Sequence, residues 1–394
     1  MQNIRMRFTR TELAGAIGDL GTLLPLSVGM IAVNGLDAMG LFVGVGLFYL
    51  IAGHYYGTPI AVQPMKTIGA YAVATGATAT VIHAAGIWMG ILLLLIACFD
   101  GAKHLQRIVP KEVIRGVQVS TGLLLALQGV RFIAGISPLQ AKLSEPWLGM
   151  GSLAGIPWSL VLGVVSLFLL LALIDSKRFP GALVTIVCGI IFGLLFGEHT
   201  ITFSPGLPSL LPHGLPGLSD FIIALPAMVL PQLPMTIGNA VFANADLANK
   251  YYPQGADRNT PRALCTSMGL ACLGGALLGG MPMCHGAGGL AAHYRFGART
   301  SASNIMIGGI FLMLPLLAGQ GMFDVVRIIP VAVLGTMLLF AGIELCLAMR
   351  DMETRGHLFT IFLMVACTLT FNLTVAFLCG ILVAWLMERG VISA

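Results

Sequence analysis

Polar punctuation divides this chain into apolar stretches at 13–33, 37–53, 59–77, 80–99, 113–134, 157–174, 180–197, 221–245, 262–279, 281–292, 303–320, 325–347, 357–371 and 373–388. Most approach the roughly 20 residues that a helix needs to cross a bilayer. The pattern predicts an all-α polytopic membrane protein of about fourteen transmembrane segments. The third and tenth stretches break the helical pattern with prolines and glycines, and both are short.

Composition agrees. Of 394 residues, 57% are hydrophobic and only 9% charged, where an ordinary soluble domain carries roughly 25% charge. That excludes a soluble globular protein and leaves no room for a sizeable soluble domain beside the spans. The net charge of +5 is spread too thinly to make a nucleic-acid-binding stripe. It fits membrane topology instead. With a cytoplasmic N-terminus, Arg5, Arg7, Arg10, Lys103, Arg107, Lys111, Arg115, Lys177, Arg178, Lys250, Arg258, Arg262, Arg295, Arg299, Arg350, Arg355 and Arg389 all fall inside. Only Arg131, Lys142 and Arg327 fall outside, and Lys66 lies within a span. This bias predicts an even number of spans with both termini cytoplasmic. The stretch from Asp100 to Glu112 is amphipathic and suits the cytoplasmic interface.

Eight cysteines fall in or beside apolar runs without a CxxC pair, so they read as packing residues and predict neither disulfides nor a metal site. The basic N-terminus mimics a signal peptide, but Asp19 interrupts the apolar run after it and no cleavage site follows. That run is expected to be a retained first span.

Residues 198–220 hold Pro205, Pro208, Pro212 and Pro216 and no Lys or Arg, as an outer linker would. The linker would join a first repeat at 1–197 to a second at 221–394. Seven spans is an odd number, so the second half would enter the membrane inverted.

The two interrupted segments share a grammar. Thr58-Pro-Ile-Ala-Val-Gln-Pro-Met-Lys-Thr67 reads as a short extended run followed by a helix, with Pro64 suited to the first helical turn. Gly280-Met-Pro-Met-Cys-His-Gly-Ala-Gly-Gly-Leu290 repeats it, with Pro282 matched to Pro59. A second register, matching Pro64-Met65-Lys66-Thr67 to Pro234-Met235-Thr236, would imply a five-span repeat. Broken spans in matching positions of two halves mark a transporter binding site. A helix that starts inside the membrane presents unpaired N–H groups and the positive end of its dipole, which suits an anion. Gly286, Gly288 and Gly289 would allow close approach of a ligand or of another helix, and the GxxxG pairs Gly40/Gly44 and Gly275/Gly279 suit helix packing.

Lys66 is expected about one turn along the first such helix, too deep for its stem to reach the interface. It must face a cavity, an anion or a carboxylate. Asp19, in Gly18-Asp-Leu-Gly-Thr22, is the candidate carboxylate, either as a mere structural partner of Lys66 or as part of a substrate site. His285 adjoins the second helix start, where it would donate to an oxyanion, carry a proton or cap the terminus. Gln232, Thr236 and Asn239 add neutral polar groups, and Glu344 reads as an interface residue. No Ser/His/Asp, paired-carboxylate or metal-ligand spacing is present, so no enzyme and no cofactor is expected.

Gly18-Asp-Leu-Gly-Thr22, Val62-Gln-Pro-Met-Lys-Thr67, Pro231-Gln-Leu-Pro234 and Met281-Pro-Met-Cys-His-Gly-Ala-Gly-Gly-Leu290, continued by Tyr294-Arg-Phe-Gly-Ala-Arg299, resemble motifs of the molybdate transporters related to the sulfate permeases. The resemblance covers nearly the whole chain. It implies fourteen segments in two inverted repeats of seven, the fold of the bacterial uracil permease, with segments 3 and 10 each a short strand plus a half-helix. It further implies a substrate-holding core of segments 1–4 (13–99) and 8–11 (221–320), and a gate of segments 5–7 (113–197) and 12–14 (325–388). Typical sulfate permeases add a C-terminal cytoplasmic regulatory domain, which a chain ending at Ala394 is expected to lack. The implied site is lined by Gln63, Pro64, Met65, Lys66 and Thr67 from segment 3 and by Cys284, His285, Gly286, Ala287 and Gly288 from segment 10. Asp19, Thr22, Gln232, Thr236 and Asn239 would flank it.

The expected activity is secondary active uptake of a tetrahedral oxyanion, molybdate first and tungstate or sulfate next, by alternating access. Asp19 and His285 are the candidates for proton coupling in a symport. The expected setting is a bacterial inner (plasma) membrane, with lipid and a homodimer partner as neighbours and no nucleic acid. A proton-coupled nucleobase carrier of the same fold would want carboxylates in the broken spans, and neither supplies one. A passive anion channel and a membrane-embedded enzyme complete the alternatives.

Overall fold

The computed structural model describes residues 6–99, 101–102, 109–137, 140, 152–153, 155–174, 176, 180–197, 203–255, 257–319 and 321–392. Arg5, Lys103, Arg107, Lys142, Lys177 and Arg178, and with them much of the expected interfacial stretch after Asp100, lie outside the described residues.

In chain order the helices are α1 (Arg10–Ala16), continued through a 3-10 turn at Ile17–Asp19 into α2 (Leu20–Asn34), then α3 (Ala38–Tyr56), α4 (Lys66–Thr75), α5 (Ala79–Cys98), α6 (Lys111–Ile133), α7 (Trp158–Leu173) and α8 (Gly181–Phe196). The second half holds α9 (Leu218–Ala224), α10 (Leu230–Met235), α11 (Asn244–Tyr251), α12 (Pro261–Leu277), α13 (Ala287–Arg295), α14 (Ala302–Ala318), α15 (Met322–Arg327), α16 (Val331–Leu347), α17 (Arg355–Thr370) and α18 (Leu373–Glu388). Strands β1 (Gln63–Pro64), β2 (Ser152–Leu153), β3 (Ile156–Pro157) and β4 (Met283–Cys284) are each two residues long.

Local chemistry sets the helix ends. Side chains of Asp37, Thr78, Thr260 and Asn372 accept from the first-turn amides of α3, α5, α12 and α18, satisfying donors that have no intrahelical partner. Gly35, Gly57 and Gly76 end α2, α3 and α4 with φ of 71°, 66° and 68°, a left-handed conformation that glycine adopts without strain. From α9 to α11 the chain stays helical but widens into π-turns at Leu225–Val229 and Thr236–Ala243. Pro226, Pro231 and Pro234 each remove a backbone donor there, which favours such bulges.

Among the described residues, six continuous helices are long and apolar enough to cross a membrane: Arg10–Asn34, Ala38–Tyr56, Ala79–Cys98, Lys111–Ile133, Leu218–Tyr251 and Val331–Asp351. Shorter apolar helices occupy α7, α8, α14, α17 and α18. Val165, Phe168, Ile191, Leu195, Phe362 and Leu382 are exposed on these shorter helices, an apolar outer surface that suits lipid rather than water.

Packing pairs the halves crosswise. Helix α3 packs on α14, α5 on α12 and α6 on α16. Facing glycines, Gly46 with Gly308, Gly90 with Gly269 and Gly122 with Gly342, let these helices approach at their backbones. At the centre β1 pairs antiparallel with β4, Gln63 opposite Cys284 and Pro64 opposite Met283.

Several local expectations change. Pro64 lies in the strand and not in the first helical turn, because the helix begins at Lys66 with Met65 as its N-cap. Lys66 is therefore the first helical residue, rather than one turn along. The matching N-cap of α13 is Gly286, which aligns Pro282 with Ala61, not with Pro59. In the expected linker, Leu218–Asp220 already belongs to α9, and Ser204, Gly206 and Leu211 donate backbone hydrogen bonds to Ala318, Leu316 and Leu277.

Candidate functional site

The two half-helices α4 and α13 start on either side of the β1–β4 pair. The Met65 amide extends the pairing by donating to the Pro282 carbonyl at 3.0 Å. Asn304 clamps the extended run before β1, donating to the Ile60 carbonyl at 2.8 Å and accepting from the Ile60 amide at 3.0 Å. Asn34 holds the far end of α4 by donating to the carbonyls of Ala72 and Ala77, both at 2.8 Å. The first broken segment is thus fixed by side chains of neighbouring helices, as irregular backbone inside a membrane must be.

The two helix starts differ. At α4, the Gln232 side-chain oxygen accepts from the amides of Thr67 at 2.9 Å and Ile68 at 3.3 Å, while its amide donates to Thr236 Oγ1 at 2.9 Å. Gln232 therefore caps α4, Thr236 accepts from Gln232, and both are buried. At α13, the amides of Ala287, Gly288 and Gly289 donate to no protein group among the described residues. Gly288 is exposed, and a Cβ built there or at Gly238 would meet nothing within 4 Å. Lys66, Thr22, Ala287 and Asn239 are half-buried. They border open space, whereas Gln63, Met65, Thr67, Cys284 and Gly286 are packed inside.

Asp19 sits in the 3-10 turn between α1 and α2 and is 4% exposed. Its two carboxylate oxygens accept from Gln63 Nε2 at 2.8 and 2.7 Å. Among the described residues Lys66 closes no salt bridge with it. In place of the expected Lys66–Asp19 pair stands an Asp19–Gln63 pair, and Lys66 is half-buried. Gly286 and Gly289 are the points of close approach: a Cβ on Gly289 would lie 2.6 Å from Gln63 Nε2 and 2.7 Å from the Ala61 Cβ.

His285 points elsewhere. Its Nδ1 lies 2.8 Å from the Ala61 carbonyl and its Nε2 3.0 Å from Ser267 Oγ. A carbonyl only accepts, so Nδ1 carries a proton toward Ala61, while the Ser267 hydroxyl also donates to the Leu264 carbonyl at 3.2 Å. Tyr56 lies 2.9 Å from Ser267 Oγ, and the imidazole packs 4.6 Å from the Phe48 ring. These contacts hold His285 against Ala61 and Ser267.

Distant residues also enter. Asn239, Gly238 and Met235 face a cavity of about 460 Å³ shared with Lys111 and Arg115 of α6 and with Asp351. Met235 also accepts a hydrogen bond from Thr67 Oγ1 at 3.2 Å, which links this cavity to the start of α4. His293 on α13 is fully buried beside Tyr49, ring centroids 6.2 Å apart, with both nitrogens unpartnered among the described residues. Its place inside an apolar helical run gave no sign of this in the sequence.

A family model described as a molybdate transporter of the MFS superfamily matches residues 11–125 and 224–345, the two stretches that carry both half-helices and their supports. The chain belongs to this molybdate transporter family. Two Arabidopsis thaliana relatives agree. Molybdate transporter 1 is 30% identical over 98% of this chain and 91% of its own length, and molybdate transporter 2 is 31% identical over 96% and 87%. The fold matches the transmembrane domain of a cyanobacterial bicarbonate transporter, BicA, with a TM-score of 0.66 at 16% identity, covering 96% of this chain and 98% of that one. It also matches murine Slc26a9, an anion transporter in an inward-facing state, with a TM-score of 0.68 at 13% identity over 99% of this chain and 70% of that one. This molybdate transporter family member therefore has the fold of those anion-transporter membrane domains.

Proposed function

We propose that this protein is a secondary active transporter that carries molybdate by alternating access. The observation that supports it most is the start of α13, where three consecutive amides have no protein partner among the described residues and lie beside open space. Such amides and the helix dipole bind oxyanions without many charged side chains. Lys66 adds a cation at the same strand pair, and Thr22 and Asn239 add neutral polar groups. In this reading Gln63, Pro64, Met65, Thr67, Cys284 and Gly286 shape the site from behind, and His285 holds the crossing strands together.

The core comprises α1–α5 and α9–α14, and it moves past a gate built from α6–α8 and α15–α18. Fourteen segments cross the membrane in two inverted repeats, and the positive-inside bias puts both termini in the cytoplasm. Tungstate and sulfate share the tetrahedral geometry and charge, so discrimination among the three is a matter of size and hydration at α13.

Asp19 is the coupling group in this proposal. A carboxylate beside an anion site repels the anion, and a proton on Asp19 removes that repulsion. In proteoliposomes, an inward proton gradient accelerates molybdate uptake by the parent protein and has no effect on Asp19→Asn. Uptake by the parent that ignores an imposed gradient removes the coupling. Flux at channel-like rates without saturation removes the carrier itself.

A further inference from the structure

Resting on the proposed transport function, we propose that Arg115, Lys111 and Asp351 form an anion-capturing station in the cavity bordered by Met235 and Asn239, with Asp351 as a built-in competitor for Arg115. Arg115 and Lys111 lie near the start of α6, and Asp351 closes the 3-10 turn after α16. All three line the cavity of about 460 Å³ whose opposite wall is Met235, Gly238 and Asn239. One lining residue, Met235, also accepts a hydrogen bond from Thr67 in the first turn of α4.

The geometry is a forked ion pair. Arg115 Nε donates to one Asp351 oxygen at 2.9 Å and Nη2 to the other at 2.6 Å, while Nη1 donates to Gln118 at 2.8 Å. Planar bidentate pairing of this kind is how guanidinium also binds oxyanions. Lys111 is exposed, closes no salt bridge among the described residues, and its charge reaches Asp351. The cluster carries a net charge of one positive unit. That charge, in a recess walled by Val109 and Ile114, concentrates anions at the entrance.

A transport path needs stations that attract its ion without retaining it. Asp351 meets that need. An arriving dianion gains the guanidinium only by displacing a carboxylate already seated on it, so capture is weakened and release is eased. Both residues come from helices that the transport reading assigns to the gate, opposite Asn239 on the core side. Counted in the sequence, Arg115 served only as one more cytoplasmic charge.

The test compares two variants that break the same ion pair. Sodium molybdate is titrated calorimetrically into the purified chain in lipid nanodiscs, at low and high ionic strength, for the parent, Arg115→Gln and Asp351→Asn. The capturing station predicts opposite signs. Arg115→Gln weakens binding about fivefold and flattens its salt dependence, while Asp351→Asn tightens it by a similar factor. A bridge that serves only to hold α6 against α16 predicts a shift in the same direction for both, visible also in their melting temperatures. Same-sign shifts, or no shift in either variant while the parent binds, overturn the proposal. A parent that binds no molybdate, tungstate or sulfate overturns the transport reading and this station with it.

Discussion

The Gln63 side-chain amide donates to both carboxylate oxygens of Asp19, at 2.8 and 2.7 Å, with both residues buried. This contact joins the turn at Ile17–Asp19 to the strand that precedes α4. Removing the amide leaves a buried carboxylate without its donor, which costs about 1–3 kcal/mol. Gln63→Ala is therefore expected to lower the melting temperature in detergent. Asp19→Asn combined with Gln63→Ala is expected to recover part of the loss, because the uncompensated charge is gone.

Three glycines at the start of α13 make contrasting predictions. Gly286→Ala and Gly289→Ala drive a methyl group into Gln63, and such overpacking costs about 1–3 kcal/mol. Gly288→Ala meets open space and leaves stability unchanged. It does, however, place a methyl group where the anion approaches the amides, so molybdate binding weakens while the melting curve stays put. A Gly288→Ala protein that binds as well as its parent places the anion elsewhere.

His285 and Lys66 separate in the same two measurements. His285→Ala strips the buried Ala61 carbonyl of its imidazole partner, a loss of about 1–3 kcal/mol read as a lower melting temperature. Lys66→Ala removes a half-buried cation that closes no salt bridge among the described residues. It lowers molybdate affinity by about tenfold, the worth of one charge-assisted hydrogen bond, with little change in melting.

Legibility followed the range of the interactions. The breaks before α4 and α13 were readable because proline and glycine act on their own neighbours, and Lys66 stood out as a charge inside an apolar run. Gln232 was readable as a polar group but not as the cap of α4, because Thr67 lies 165 positions away in sequence. The same holds for His285, whose Nδ1 partner Ala61 is 224 positions away. Helix ends shifted where proline acted in a strand instead of a first turn, as at Pro64. Arg115 and Asp351 were hidden because a charge near a span end looks the same whether it sets topology or lines a path.

A tetrahedral oxyanion is expected to bind beside Lys66 at the α13 amides that have no protein partner among the described residues. The most direct measurement is a calorimetric titration of the purified chain with sodium molybdate, repeated with Lys66→Ala and Gly288→Ala. The predicted result is saturable binding of one anion per chain, weakened about tenfold or more in Lys66→Ala and weakened in Gly288→Ala, with both variants folded. Binding of equal strength in all three proteins, or no heat from the parent with molybdate, tungstate or sulfate, would contradict it.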